Sequence, residues 1–257
     1  MPAKALGVID LNVDLGEGVG ESARRDDALL LDVVTSANIA CGYHAGDAEV
    51  MRRTCDEAVA RGVTVGAHVS YRDLEGFRRR DVDVPFEQLV EELLEQIGAL
   101  STIGDASGAV VRYVKAHGAL YNRSAHDREH AAAVVRAVQL APRPLALLAA
   151  PASVLVQLAG AAGVPTFTEG FADRAYRADG TLVPRHEPHA VHGTIDACVA
   201  QAVEIVRNGQ VTAEQGVRVV LAPRSLCVHG DTPHAFETAA AVRRGLLAAG
   251  IELRAFL

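Results

Sequence analysis

Titratable residues recur along this chain in one setting, directly after short apolar runs: Asp14, His44, His68, His117, the pair Glu169 and Asp173, and His229. Gly42, Gly66, Gly118 and Gly230 lie within two residues of the four histidines and allow a backbone or ligand to come close. A lone histidine in such a place is usually satisfied by a backbone carbonyl; four in the same setting indicate a shared site. Asp14, His44 and His68 offer an oxygen and two nitrogens with positions left for water, the donor set that metal-assisted hydrolysis requires. Asp47, three residues after His44, fits a helix N-cap better than a ligand. Lys115 and His117 alternate, so both can point into one interior, where they either bind an anion and move a proton or complete an ion pair. Arg174 beside Asp173 either clamps a carboxylate or phosphate in bidentate fashion or pairs internally.

The remaining histidines, His126, His130, His186, His189, His192 and His234, fall in helical or loop patterns and read as surface residues. Arg78, Arg79 and Arg80, followed by Asp81 and Asp83, read as a solvated loop that can also cover a mouth and present an Arg to an anion. Cys41, Cys55, Cys198 and Cys227 form no CxxC pair, so buried reduced thiols are expected rather than a zinc ribbon or a disulfide framework.

Residues so far apart in sequence need a fold that brings strand ends together. Apolar, β-branched runs mark strands at Val8–Val13, Ser36–Cys41, Thr64–His68, Val111–Ala116, Leu145–Ala149, Thr166–Thr168 and Ser225–His229. Helical patterns between them run Asp47–Gly62, Pro85–Gly104, Asp127–Leu140, Ala152–Gly163, Thr194–Gly209 and Pro233–Gly250, several with N-cap and C-terminal Gly signals. This alternation fits either a closed barrel or an open doubly wound sheet, and a polar residue at the end of many different strands favours the barrel. No linker or low-complexity block interrupts it, so residues 1–257 are expected to form one α/β domain.

Composition narrows the function. A formal net charge of -7 argues against binding a nucleic-acid backbone, and no apolar run reaches the ~18 residues of a membrane span. With no signal-peptide pattern before the first strand, a cytoplasmic protein is expected. Neither Lys4 nor Lys115 follows a Gly, so there is no Walker A loop, and Gly16, Gly18 and Gly20 miss the dinucleotide fingerprint by one position.

Six blocks in order, Asp10–Gly18, Ser36–Asp47, Gly66–His68, Val114–Asn122, Phe171–Tyr176 and Cys227–Asp231, resemble the LamB/YcsF family, and the likeness runs from about Ile9 to Phe256. The resemblance implies a seven-stranded TIM-like (β/α) barrel of the glycoside hydrolase and deacetylase type. It also implies the 5-oxoprolinase reaction, ATP-dependent opening of the lactam of 5-oxo-L-proline to L-glutamate, carried out with two partner subunits, PxpB and PxpC. ATP with Mg2+ is the implied cofactor, and a divalent metal at the barrel mouth is a further one. In that frame His117 or His68 is the expected general base, Lys115 and Arg174 the groups for substrate charge, and Asp14 with His44 the orienting groups or, with His68, metal ligands. Asp173 and His229 complete the expected pocket. The chain departs from the family's usual residues at Val69, Arg78, Ala116 and Pro223–Arg224, the last expected to remove a carboxylate near the mouth. The alternatives are a metal-dependent amide or acetyl hydrolase acting alone, and a non-catalytic substrate-binding subunit.

Overall fold

A computed structural model describes residues 7–18, 20–73, 82–230 and 234–257. The elements follow in the order β1 (Val8–Leu15), α1 (Gly20–Leu31), β2 (Ser36–Ala40), α2 (Ala48–Arg61), β3 (Thr64–Val69), α3 (Phe86–Ser107), β4 (Val111–Ala116), α4 (Gly118–Ser124), α5 (Arg128–Leu140), β5 (Ala146–Ala149) and α6 (Val154–Ala161). Then come β6 (Thr166–Phe171), α7 (Ile195–Asn208), the antiparallel hairpin β7 (Gln210–Thr212) and β8 (Arg218–Val220), β9 (Ser225–Val228), α8 (Ala235–Ala248) and β10 (Glu252–Leu253). Strands β1 to β6 and β9 are parallel neighbours in that order, and β9 also pairs with β1, which closes a seven-stranded barrel. The short β10 adds to the start of β1. Among the described residues, no helix is long and apolar enough to cross a membrane.

Strand alternation builds two different cores. On β1, Ile9, Leu11, Val13 and Leu15 face the helices, whereas Asp10, Asn12 and Asp14 point into the barrel, and both sets are buried. The interior-facing set continues with Ser36 and Asn38 on β2, Gly66 and His68 on β3, Tyr113 and Lys115 on β4, Glu169 on β6, and Ser225 and Cys227 on β9. One end of the interior is closed by aromatic rings: Phe256 stands 5.0 Å from Tyr113 and 4.9 Å from Phe167, centroid to centroid. Above this plug, Tyr113 crosses the barrel to donate to Asn38 Oδ1 at 2.6 Å. Gly66 makes that crossing possible, because a Cβ there would lie 2.3 Å from the Tyr113 ring.

The cap signals act as expected in α2, where the Asp47 carboxylate accepts from Val50 N–H at 2.8 Å and Gly62 ends the helix in the left-handed conformation. Helix α3 runs three residues past the expected Gly104 stop, which is instead a contact point: a Cβ there would be 2.9 Å from the Ala109 carbonyl. Helices α1 and α4 have no counterpart in the sequence reading. Of α1 only Leu30 and Leu31 are buried, too little apolar periodicity to signal it, and α4 is a seven-residue helix grown directly from the end of a strand. Arg78–Asp81 and the expected helix start at Pro233 lie outside the described residues. The Pro223–Arg224 departure lies at the far end of the barrel from the mouth, because Arg224 precedes β9 and its carbonyl accepts from Asp10 N–H at the start of β1.

Asp10 lies at that floor, fully buried, accepting from Thr35 Oγ1 at 2.5 Å, from Ser36 Oγ at 2.7 Å, and from Ser225 Oγ. Burial pushes its carboxyl up to about 6. A carboxyl raised in the folded state stabilises the fold while protonated and loses that contribution as the pH rises through about 6. The Tm of Asp10→Asn relative to the parent therefore shifts in the variant's favour between pH 5 and pH 8; parallel melting curves at both pH values would refute the assignment. Gly66→Ala is expected to lose about 1–3 kcal/mol in denaturant unfolding by pushing on the Tyr113 ring.

Candidate active site

The carboxyl ends of the strands converge on one mouth, and four side chains from different connections meet there: Glu17 from the turn after β1, His44 from the loop after β2, His68 on β3, and His117 directly after β4. His117 occupies the N-cap position of α4, and its backbone N–H donates to the Val69 carbonyl at 2.8 Å, which ties the two strand ends together. Glu17 Oε1 is 2.9 Å from His44 Nε2, 3.0 Å from His117 Nδ1 and 3.6 Å from His68 Nε2. His117 Nδ1 is also 3.0 Å from His68 Nε2, and the rings of His44 and His117 stack at 4.0 Å. One potential ligand atom from each of the four lies within 4.8 Å of the others.

Neighbouring groups set the tautomers. Ser70 Oγ gives its proton to the Tyr71 carbonyl, so it accepts from His44 Nδ1–H at 3.1 Å and leaves the Nε2 lone pair directed at Glu17. The Lys115 carbonyl can only accept, so His68 Nδ1–H donates to it at 3.2 Å, which turns His68 Nε2 toward the cluster. Burial pushes the His44 imidazole down to about 3, so it is neutral near pH 7.

Beneath the histidines sits the buried cation. Lys115 Nζ is 3.0 Å from Asp14 Oδ1, 3.1 Å from Glu169 Oε2, 3.3 Å from Asn12 Oδ1 and 3.3 Å from Cys227 Sγ. Asn38 Nδ2 donates to both Asp14 and Asn12 at 2.8 Å, and Asn12 Nδ2 donates to Glu169 Oε2 and Ser225 Oγ. Burial alone would discharge both partners. The charges of Asp14, Cys227 and Glu169 nevertheless hold Lys115 well above its ordinary range, and His68 and Lys115 hold Asp14 well below the usual carboxylate range. The three protons of the ammonium thus meet protein acceptors rather than the open mouth. Asp14 Oδ2 reaches up to 3.4 Å from His68 Nε2 and links this network to the cluster above it.

Across the mouth, His229 Nδ1 donates to Asp173 at 2.9 Å, and the His229 backbone N–H donates to the same carboxylate at 3.2 Å. Burial works against the charge of Asp173, but His229 outweighs it and holds the carboxyl below its usual range. Phe171 stacks on the His229 ring at 5.3 Å and meets Tyr121 edge-on at 5.8 Å. Arg174 is buried in the loop after β6, and its guanidinium donates to the carbonyls of Ala190 and Val183. The structure thus gathers Asp14, His44, His68, Lys115 and His117, places His229 and Asp173 beside them, and turns the Arg174 guanidinium toward backbone.

Glu17 and His117 stand with His44 and His68 in the donor cluster, and Lys115 and Asn38 bond Asp14, the carboxylate expected there. The sequence held one signal for Glu17, a carboxylate three residues past Asp14 in the same Gly-flanked turn. His130 is not a surface residue: it is buried, and its Nδ1 is 2.6 Å from the Tyr71 hydroxyl. His192 is half-buried and bonded to Gln201 at 2.9 Å. All four cysteines are buried and free, as expected.

A profile of the LamB/YcsF family matches residues 9–257. The chain belongs to the LamB/YcsF family. It is 54% identical over 249 residues to the A subunit of 5-oxoprolinase from Streptomyces coelicolor, covering 97% of this chain and 100% of that protein. It is 51% identical to the corresponding 5-oxoprolinase protein of Mycobacterium marinum, covering 96% of this chain and 98% of that one. Among solved structures it is similar to a lactam utilization protein from Thermus thermophilus, with 38% identity, a TM-score of 0.89, and coverage of 96% and 99% of the two chains.

In this LamB/YcsF barrel the Lys115 network is the interaction most open to dissection. Lys115→Met leaves Asp14 and Glu169 buried without their counter-ion and is expected to cost about 3–5 kcal/mol. Adding Glu169→Gln recovers part of that loss. Denaturant unfolding of the two single variants and the double variant measures the coupling, and additive losses would show that the pair does not interact.

Proposed function

We propose that the chain is the lactam-opening component of a 5-oxoprolinase, hydrolysing the cyclic amide of 5-oxo-L-proline to L-glutamate at the barrel mouth. The supporting observation is identity above 50% over nearly the whole chain to proteins named as the A subunit of 5-oxoprolinase. That name also supports partner subunits, of the PxpB and PxpC kind. A five-membered lactam is a stabilised amide, so its opening is coupled to conversion of ATP, as its Mg2+ complex, to ADP and phosphate.

Phosphoryl transfer to the lactam oxygen activates the ring carbon. Water then adds to that carbon, the C–N bond breaks with the nitrogen taking a proton, and the phosphate is released to a second water. In this reading His117, or His68 where no ion is bound, accepts the attacking water's proton, and His229, whose Nδ1 donates to Asp173, gives a proton to the departing nitrogen. Lys115 and Asn38 hold Asp14 charged at the edge of the site. The Glu17 and histidine donors fit a divalent ion, which when bound lowers the pKa of water and polarises a carbonyl. The same donors favour a second reading, a metal-dependent amide hydrolase that acts without ATP.

The deciding assay is glutamate release from 5-oxo-L-proline with ATP, using the chain alone and then with its partner subunits. Activity only in the full mixture supports the first reading, and ATP-independent hydrolysis by the chain alone supports the second. His117→Ala is expected to abolish glutamate formation with an unchanged circular dichroism spectrum; full activity in that variant would remove His117 from the mechanism.

A further inference from the structure

We propose that Glu17 Oε1, His44 Nε2, His68 Nε2 and His117 Nδ1 bind one first-row transition ion of the zinc or cobalt type, not magnesium, with Asp14 outside the coordination sphere. This deepens the reading above by naming the ion's class and its ligands. Four different connections bring Glu17 Oε1, His44 Nε2, His68 Nε2 and His117 Nδ1 together at one place, and a ligand atom of each lies within 4.8 Å of the others. His44 Nδ1 faces Ser70 Oγ and His68 Nδ1 faces the Lys115 carbonyl, so the opposite nitrogen of each ring is the one turned to the cluster.

The spacing agrees. Four ligands ~2.1 Å from one tetrahedral ion stand roughly 3.4 Å apart. The separations of 2.9, 3.0 and 3.6 Å from Glu17 Oε1, and the limit of 4.8 Å across the set, bracket that value. The hydrogen bonds that fix the His44 and His68 tautomers are the outer-shell partners that histidine ligands characteristically have. Three imidazoles and one carboxylate suit zinc, cobalt, nickel or iron, whereas magnesium requires hard oxygen donors in octahedral array. Asp14 stands outside the set of described donors that lie mutually within 4.8 Å, and Lys115 and Asn38 hold its Oδ1.

The test is titration of the chelator-stripped protein with Co2+, followed by its visible ligand-field absorption. The expected result is one Co2+ per chain, displaced by stoichiometric Zn2+ and retained in a large excess of Mg2+. Glu17→Gln and His44→Ala should weaken binding by more than the ~10- to 100-fold typical of losing an outer-shell partner, while Asp14→Asn stays within that range. Thermal melts of each variant verify folding, and His117→Gln replaces any that fails. Absence of Co2+ binding, competition by equimolar Mg2+, or a loss in Asp14→Asn as large as in Glu17→Gln would each overturn the proposal. Glutamate release by the same preparations with partner subunits keeps the two readings apart: activity without Co2+ or Zn2+ binding overturns the ion alone, and binding without activity overturns the lactam reading alone.

Discussion

A single ammonium group buried inside the barrel organises this molecule. Lys115 is 2% exposed, and the cost of removing a charge from water is recovered only because Asp14 and Glu169 flank it and Asn12 completes its donors. Those partners come from two strands, so the ammonium on β4 is tied to β1 and β6 across the interior. Seen from Asp14, the same interaction fixes one carboxylate oxygen and directs the other at His68. The charge network and the histidine cluster are therefore one continuous structure, and a change in either is felt in the other.

The interior is layered along the barrel axis by polarity. The Phe256, Phe167 and Tyr113 rings and the buried Asp10 close the floor, amides and hydroxyls of Asn12, Asn38 and Ser225 fill the middle, and ionised groups and imidazoles occupy the mouth. Amides suit the middle layer because each has both donors and an acceptor, so they connect a floor that needs hydroxyl donors to a mouth that needs a cation. The outer layer, where alternate strand residues pack on the helices, is by contrast almost wholly aliphatic. Stability thus comes mainly from the outside of the barrel, which leaves the inside free to carry chemistry.

At the mouth the functional groups fall into two sets. Glu17, His44, His68 and His117 form one; the Asp173–His229 pair, with Phe171 stacked on the imidazole, forms the other. Hydrogen bonds to Ser70 Oγ and to the Lys115 carbonyl pin two of the imidazole rings, which fixes the nitrogen each turns to the cluster.

Local order determined a good deal on its own. Short apolar, β-branched runs placed all seven barrel strands, Asp47 and Gly62 bounded α2, and the recurrence of titratable residues after strands pointed to the mouth, because these signals act within a few residues of the chain. Strand ends were less legible: β1 runs on through Asp14 and β6 through Glu169, since a polar residue facing a polar interior looks in sequence like the end of a strand. Which residues share the cluster was decided only in three dimensions. Glu17 stands with the three histidines while Lys115, about a hundred residues away in sequence, bonds the Asp14 carboxylate, and His130 is buried because Tyr71 meets it from another element. Pairing of that kind depends on which strand lies across the barrel, and strand neighbourhood is a property of closure, not of any local pattern.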